Sequence, residues 1–380
     1  MDTNKIAVVI LAYADYESLE VSLAAHMKFA QPGVKYYILQ NGRGTYDTEK
    51  TYRVALRYHY LFPNQVEVVD WIKPQPPYLS IKELLNSPQL AQYDYICKTD
   101  DDVFPVTENW LENLFKCYED SYQKYGNQLA YVSALVNNHY SGFEKILDFM
   151  NLKQKYLTEI AREHLVGFEG IGFRKETIIP KDEIYSGGAG TIMRYPYIAR
   201  WLHENTTLNV EEYIKNCGNR DNFEFNSEDR MSINCILFKK EFWNIVEDAS
   251  PFEDEHRMHM WCKEHHPHIT VCPKALMVHL LYNSHREENK DMMPRIKEYY
   301  QKFLGLSYPI SICSDIQYEN EARLRWIENQ INSLVATRKN PFKEKIYLFH
   351  FLHFMTKEQN GNQAVYKLFD FIPLLKIKRK

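Results

Sequence analysis

The chain has 380 residues, too many for one minimal domain, which points to one large α/β domain with an appendage or to two domains. Hydrophobic residues at 45% and charged residues at 25% supply a sizeable core and exclude a disordered chain. With 46 Lys and Arg against 50 Asp and Glu, the net charge of −4 lacks the basic surplus of a general nucleic-acid binder, and that class is excluded as well.

Residues 6–13 form a continuous apolar run rich in β-branched side chains, the pattern of a strand buried on both faces. Asp15 then caps a helix carrying Leu19, Leu23 and Met27, and Gln31-Pro32-Gly33 breaks it. A second strand over 35–39 ends in the turn Asn41-Gly42-Arg43-Gly44. Another helical stretch precedes a third strand over 65–70. Helix signals follow over 81–90, and a fourth strand covers 93–98. This alternation predicts the α/β class, with a mostly parallel, doubly wound central sheet flanked by helices. Ligands of such sheets bind beyond the carboxyl ends of the strands. Three polar clusters stand there: Tyr13 to Asp15, Gln40 to Gly44, and Thr99 to Asp102. After about residue 286 the strand pattern stops. Residues 319–338 read as a charged amphipathic helix, 343–354 and 364–375 as more apolar ones, and the chain closes on Lys376-Ile377-Lys378-Arg379-Lys380. The expected organisation is one domain over 1–286 and a C-terminal helical region over 287–380.

Seven cysteines (Cys97, Cys117, Cys217, Cys235, Cys262, Cys272 and Cys313) form no C-x-x-C pair, and an odd number closes no disulfide framework. A reducing compartment is the simpler reading. Met1 to Lys5 leads directly into the first strand without the basic opening of a secretory leader, and the longest apolar run, Ile6 to Ala12, is far below the ~20 residues of a spanning helix. The expectation is a cytoplasmic protein that does not cross the membrane.

Chemistry concentrates first in Thr99-Asp100-Asp101-Asp102. Three adjacent carboxylates repel one another unless a cation neutralises them. A divalent metal typically takes one or two carboxylates and completes its shell with phosphate oxygens. The plainer alternative is a solvated turn feeding Asx-type hydrogen bonds, and the position at a strand end favours the metal. Strand alternation aims two of the three acids into one cleft. A second acidic pair, Glu228-Asp229, follows Asn226-Ser227, which reads either as a helix cap or as a carboxylate poised to take a proton from a hydroxyl. Between the two lies Ser186-Gly187-Gly188-Ala189-Gly190, whose backbone allows close approach to a ligand. It matches neither a P-loop nor a dinucleotide fingerprint. His256, His259, Cys262, His265, His266 and His268 are ligand-like in spacing, yet lack the paired cysteines of a structural zinc site.

In this order, the first strand ending in Ala-Tyr, Lys98-Thr99-Asp100-Asp101-Asp102-Val103-Phe104, Ser186 to Gly190, and Glu228-Asp229 resemble the inverting nucleotide-sugar glycosyltransferases of GT-A fold. The first segment is similar to glycosyltransferase family two. The K-x-D-D-D-V-F and Ser-Gly-Gly segments are similar to the fringe and galactosyltransferase group. The resemblance covers about residues 5–285 and implies a donor side over 1–105 and an acceptor side over 106–286. By this resemblance Asp102 and Asp100 hold a Mn²⁺ or Mg²⁺ ion, with the late histidine matching His279. Asp229 is the catalytic base, supported by Glu228. A UDP-sugar donor is met by Ala12, Tyr13, Asp15, Asn41, Asp70, Asp100, Asp101, Gly188 and Ala189. His279 also reads as a packed core histidine. Two departures stand out: Gln40-Asn41 replaces the acidic pair usual after the second strand, and the Q-x-x-R-W motif of processive synthases is missing.

The implied activity is metal-dependent transfer of a sugar to a hydroxyl of a glycan or glycolipid acceptor. The alternatives are a sugar-phosphate nucleotidyltransferase, whose Gly-rich basic loop after the first strand is not found, and a non-catalytic glycan-binding module. The aromatic, basic tail has two readings: contact with an anionic membrane face, or packing of the last helices onto the catalytic domain. With the resemblance, the first suggests a bacterial surface glycan such as lipooligosaccharide or capsule, built at the inner membrane.

Overall fold

The computed structural model describes residues 3–42, 45–137, 142–159, 164–169, 172–178, 196–229, 232–245, 254–281, 285–307, 310, 343–347, 353–360, 363–368 and 372–378. The apolar run at the start forms β1 (Ile6–Ala12), whose residues from Ile6 to Ile10 are fully buried. It is followed by β2 (Lys35–Gln40), β3 (Val66–Val69) and β4 (Tyr95–Asp100). These four pair in parallel in the order β3-β2-β1-β4. Parallel neighbours need crossovers, and α1 (Tyr16–Lys28), α2 (Tyr46–Leu61) and α3 (Pro77–Leu85) provide them. The sequence therefore places all four strand ends, and the polar residues after them, on one edge.

The second half of the sheet is mixed. β5 (Val103–Pro105), α4 (Trp110–Tyr125) and β6 (Leu129–Val136) come next. They are followed by α5 (Gly142–Phe149), α6 (Lys153–Glu159) and the hairpin of β7 (His164–Glu169) with β8 (Gly172–Ile178). After α7 (Pro196–Asn205) and α8 (Val210–Cys217) come β9 (Phe223–Phe225), β10 (Cys235–Lys239) and α9 (Phe242–Ile245). Then come α10 (Asp254–His265), β11 (His268–His279) and α11 (Met292–Phe303). β10 runs antiparallel between β4 and β6, β11 lies parallel to β6, and β5 and β9 pair antiparallel with β11. The nine-stranded sheet flanked by helices is the expected α/β class, with the parallel pairing concentrated in the N-terminal half.

The tail departs from expectation. Instead of helices over 343–354 and 364–375, β12 (Lys343–Tyr347), β13 (His353–Asn360), β14 (Gln363–Leu368) and β15 (Ile372–Lys378) form a four-stranded antiparallel sheet. Short apolar runs do not distinguish helix from strand by period, and here the four segments pair edge to edge in sequence order. The helix expected over 319–338 lies outside the described residues. The six described cysteines are free and buried. Among the described residues no helix is long and apolar enough to cross a membrane.

Candidate active site

Asp100 is the last residue of β4, and Asp101 and Asp102 occupy the turn leading to β5. Strand alternation therefore stops inside the triplet. Lys98, on the same strand face two residues earlier, donates from Nζ to Asp100 Oδ1 at 2.7 Å and to the Ile233 carbonyl at 3.1 Å. Asn234 Nδ2 donates to Asp100 Oδ2 at 3.1 Å, and the Asp100 N–H donates to the Asn234 carbonyl at 3.1 Å. Asp100 was expected on the metal and the donor. Its carboxylate is instead paired to an ammonium, which would repel a dication placed against the same oxygens, and it ties β4 to the start of β10.

Asp102 faces His279. The antiparallel pairing of β5 with β11 sets Val103 opposite His279, and the Leu280 N–H donates to the Asp102 carbonyl at 3.0 Å. His279 Nε2 lies 3.0 Å from Asp102 Oδ2. Behind it, the His279 N–H donates to Asn137 Oδ1 at 2.9 Å, and Asn137 Nδ2 donates to the hydroxyls of Thr206 and Thr207. His203 Nδ1 sits 2.8 Å from the Thr207 hydroxyl. On the α1 side, Ser22 Oγ donates to the Val103 carbonyl at 2.9 Å, and His26 Nε2 lies 3.1 Å from it. Burial pulls His26 down to about 4, so the ring is neutral at pH 7 and donates through Nε2–H. The turn bearing Asp101 and Asp102 is thus pinned from both faces of the sheet.

Two further acids share this edge. Asp101 Oδ2 accepts the Tyr13 N–H at 3.0 Å. Asp15 caps α1, accepting the Ser18 N–H at 3.3 Å and the Ser18 hydroxyl at 2.8 Å, and Arg286 Nη2 lies 3.3 Å from its Oδ1. Arg286 also reaches Asp47 at 3.6 Å. Burial, then the Asp102 charge, raises Asp15 from 3.8 to about 6. Burial, then the charges of Asp102 and Asp15, raises Asp101 well above the usual carboxylate range. Burial also pushes Asp102 upward, but the charge and hydrogen bond of His279 outweigh it and leave Asp102 low. Burial likewise pulls His279 down, yet its bond to Asp102 holds it above the ordinary histidine value. Two carboxylates held back from ionising beside a third that is ionised mark a shortage of positive charge.

A divalent cation fits that shortage. Asp102 and His279 offer one oxygen and one nitrogen, a set that suits Mn²⁺ somewhat better than Mg²⁺. No group of three or more His, Cys, Asp and Glu poised to hold a metal occurs among the described residues. Phosphate oxygens and water would have to complete the shell, as is usual for ions held through substrate phosphates.

The other expected donor residues stand at strand ends with varied surroundings. Ala12 accepts the Asn41 N–H at 2.8 Å, and Tyr13 is exposed at the mouth. The Asn41 side chain donates to the Gln75 carbonyl at 3.0 Å and accepts the Ser80 hydroxyl at 2.6 Å, which braces the loop after β3. Asp70 accepts the Tyr52 hydroxyl at 2.6 Å. Gly42 packs so close that a Cβ there would lie 2.6 Å from the Tyr13 carbonyl, so the mouth of β1 depends on this glycine. Gly188 and Ala189 lie outside the described residues.

The structure does not bring Glu228 and Asp229 to this cluster. β9 pairs with the N-terminal end of β11, Phe225 opposite Ile269. Residues 226–229 form a turn rather than the expected helix start. Asn226 is the reason: its Oδ1 accepts the Glu228 N–H at 3.2 Å, its carbonyl accepts the Asp229 N–H at 3.0 Å, and its Nδ2 donates to Asp229 at 3.3 Å. Glu228 lies 3.6 Å from His266, just before β11 begins. His279 ends the same strand. Along β6 the rung opposite His268 is Leu129 and the rung opposite Met277 is Val136. At ~3.3 Å per residue, those rungs alone are about 23 Å apart.

The last part of the histidine-rich stretch, His266 and His268, stays on that far side. His268 pairs with Glu224 and stacks on Tyr125, and Cys262 is buried. Sequence reasoning missed Asn137, Asn234 and Arg286, which carry no local signature. Lys98 stands in the K-x-D-D-D segment, where residue spacing alone gives it no role.

No family model matches the chain, and no curated protein matches it. Among solved structures it is similar to the bifunctional glycosyltransferase WbbM in its apo form, at 15% identity and a TM-score of 0.29, over 67% of this chain and 36% of that one. It is also similar to S. aureus TarS, at 10% identity and a TM-score of 0.35, over 96% of this chain and 64% of that one. The chain therefore spans less than two thirds of either protein's length. Likeness at these scores decides nothing about function, which rests on the site.

Proposed function

We propose that the chain is a metal-dependent glycosyltransferase that moves a sugar from a nucleotide-sugar donor, a UDP-sugar, to a hydroxyl of a glycan acceptor. The observation that carries this reading is the Asp102–His279 pair, 3.0 Å apart, set among Asp15 and Asp101 at the carboxyl edge of the parallel strands. That edge is where open α/β sheets bind nucleotides. A Mn²⁺ or Mg²⁺ ion held there would neutralise the charge that develops on the leaving nucleoside diphosphate. Asp102 and His279 would hold it. Tyr13 flanks the donor from the end of β1, and Arg286 adds a cation beside Asp15.

Inversion at the sugar is part of the proposal on the resemblance alone. So is a bacterial surface polysaccharide or lipooligosaccharide acceptor, met at the cytoplasmic face of the inner membrane. The resemblance also names Asp229 as base. On the geometry above that carboxylate stands at the far end of β11, and no proton transfer is routed through it here. The test is a panel of nucleotide sugars offered to the purified chain with and without Mn²⁺. Release of a nucleoside diphosphate from at least one donor, lost in chelator, is expected. No release from any donor, or the full rate in excess chelator, refutes the reading.

A further inference from the structure

We propose that Lys98 is a positioning residue for this site: its buried ammonium pairs off Asp100 and pins residues 233–234 to the end of β4, leaving Asp101 and Asp102 to face the donor. The inference rests on the proposed function for its catalytic consequence, although not for its electrostatic one.

Strand β4 lies in the middle of the sheet between β1 and β10, where a strand is ordinarily apolar on both faces. Lys98 is nonetheless 1% exposed. An ammonium is kept in such a place only if it is paired, and an apolar side chain of similar length would fill the core with less cost. The pairing is specific. Lys98 joins a carboxylate on its own strand to a carbonyl distant in sequence, and Asp100 returns the link through both its N–H and its carboxylate to Asn234. Three hydrogen bonds thus fasten residues 233–234 onto the end of β4, two at Asp100 and one at Lys98, and the Lys98–Asp100 pair ties the two anchors together.

The charge arithmetic gives the latch its second effect. Asp101 and Asp15 already share this edge with Asp102, Asp101 on the Tyr13 N–H and Asp15 on Ser18 and Arg286. A bare Asp100 would add a further carboxylate one residue away, able to turn toward the same cation. With Lys98 against it, Asp100 is neutralised and anchored. Its role is to make two acids of a triplet available while the third serves the scaffold.

The experiment measures Mn²⁺ binding to the metal-free protein, donor turnover and thermal unfolding for Lys98→Met, Asp100→Asn, Asp102→Asn and the double variant Lys98→Met/Asp100→Asn. Lys98→Met should bind Mn²⁺ more tightly as Asp100 joins the acids, while kcat falls by about 10-fold or more and the donor KM moves little, the scale of lost support around a metal site. Removing both charges in the double variant should return Mn²⁺ affinity to the parental value while kcat stays low, because the bond from Lys98 to the Ile233 carbonyl is still missing. Asp100→Asn should keep Mn²⁺ affinity within about twofold, whereas Asp102→Asn should lose about 10-fold or more. Should Lys98→Met fail to fold, the two aspartate variants still decide the assignment. Equal loss of Mn²⁺ binding in Asp100→Asn and Asp102→Asn overturns the proposal, as does a Lys98→Met protein with parental affinity and kcat. Because Mn²⁺ binding needs no donor, failure of the latch is distinguishable from failure of the glycosyltransferase reading.

Discussion

Asp15→Asn should make the metal-free protein more stable at neutral pH, although it removes a residue from the heart of the site. Asp15 is 4% exposed and its carboxyl is raised from 3.8 to about 6, first by burial and then by the charge of Asp102. A carboxyl that is harder to ionise in the folded than in the unfolded chain opposes folding once it is charged. The folded state binds the extra proton between 3.8 and about 6, so stability falls as pH rises through that window and then levels. At ~1.4 kcal/mol per pH unit, the rise sets an upper value of about 3 kcal/mol at neutral pH. Asn keeps the cap on Ser18 and does not ionise. The difference between variant and parent should be small near pH 4 and approach about 3 kcal/mol near pH 7, roughly 6 °C in Tm for a domain of this size. Paired unfolding curves in chelator at the two pH values measure it, and using the difference cancels every other titrating group. Added Mn²⁺ should reverse the order by stabilising the parent more. A variant no more stable than the parent at neutral pH, or a difference that is the same at both, would refute the claim that ionising the buried Asp15 beside Asp102 strains this edge.

Asp102→Ala should abolish metal-dependent turnover with the fold intact by circular dichroism, and chelator should mimic it in the parent; a variant that keeps parental metal dependence removes Asp102 from the site. His279 is held above its ordinary value by Asp102, so the proton on His279 competes with the metal, and Mn²⁺ affinity should rise as pH increases through that raised value. The same sign makes the His279 contribution to metal-free stability greatest at low pH and lost as pH climbs past it; calorimetric titration at about pH 6 and 8 that gave one affinity would count against this. Asp229→Asn should leave transfer within about twofold if the far-end placement holds in turnover, whereas a loss of about 10²-fold in kcat with donor binding unchanged would reinstate it as the base. Deleting residues 343–380 should weaken binding to anionic vesicles in flotation, with high salt weakening the parent in the same direction; unchanged flotation would leave the tail without a membrane role.

The N-terminal half of the fold was legible because each of its elements is set by local chemistry. A two-face apolar run gave β1, Asp15 gave the start of α1, and the alternation gave the parallel order by the need for crossovers. The later strands were harder to read. β10 and β11 are adjacent to β4 and β6 only through pairings between residues over a hundred positions apart, such as Cys235 with Thr99 and His268 with Leu129. No window of sequence contains that information. The tail failed for a different reason: its apolar residues come in short runs whose period is ambiguous, and the pairing of four such segments decided for strands.

The acidic triplet shows where local reasoning stops being enough even at its best point. Period-two alternation, applied through Asp102, selects Asp100 and Asp102 as partners. It holds only while the chain is a strand, and the strand ends at Asp100. What ends it is tertiary: the Asn234 carbonyl takes the Asp100 N–H, while Leu280 takes the Asp102 carbonyl and Ser22 and His26 take that of Val103. The turn fixed by those three elements delivers Asp101 and Asp102 to one side and sends Asp100 back to Lys98. Residue types identified the place, a triplet of acids at a strand end, and only the resemblance joined the late His279 to Asp102. Assigning work within the triplet required knowing that a buried lysine had already claimed one of the three.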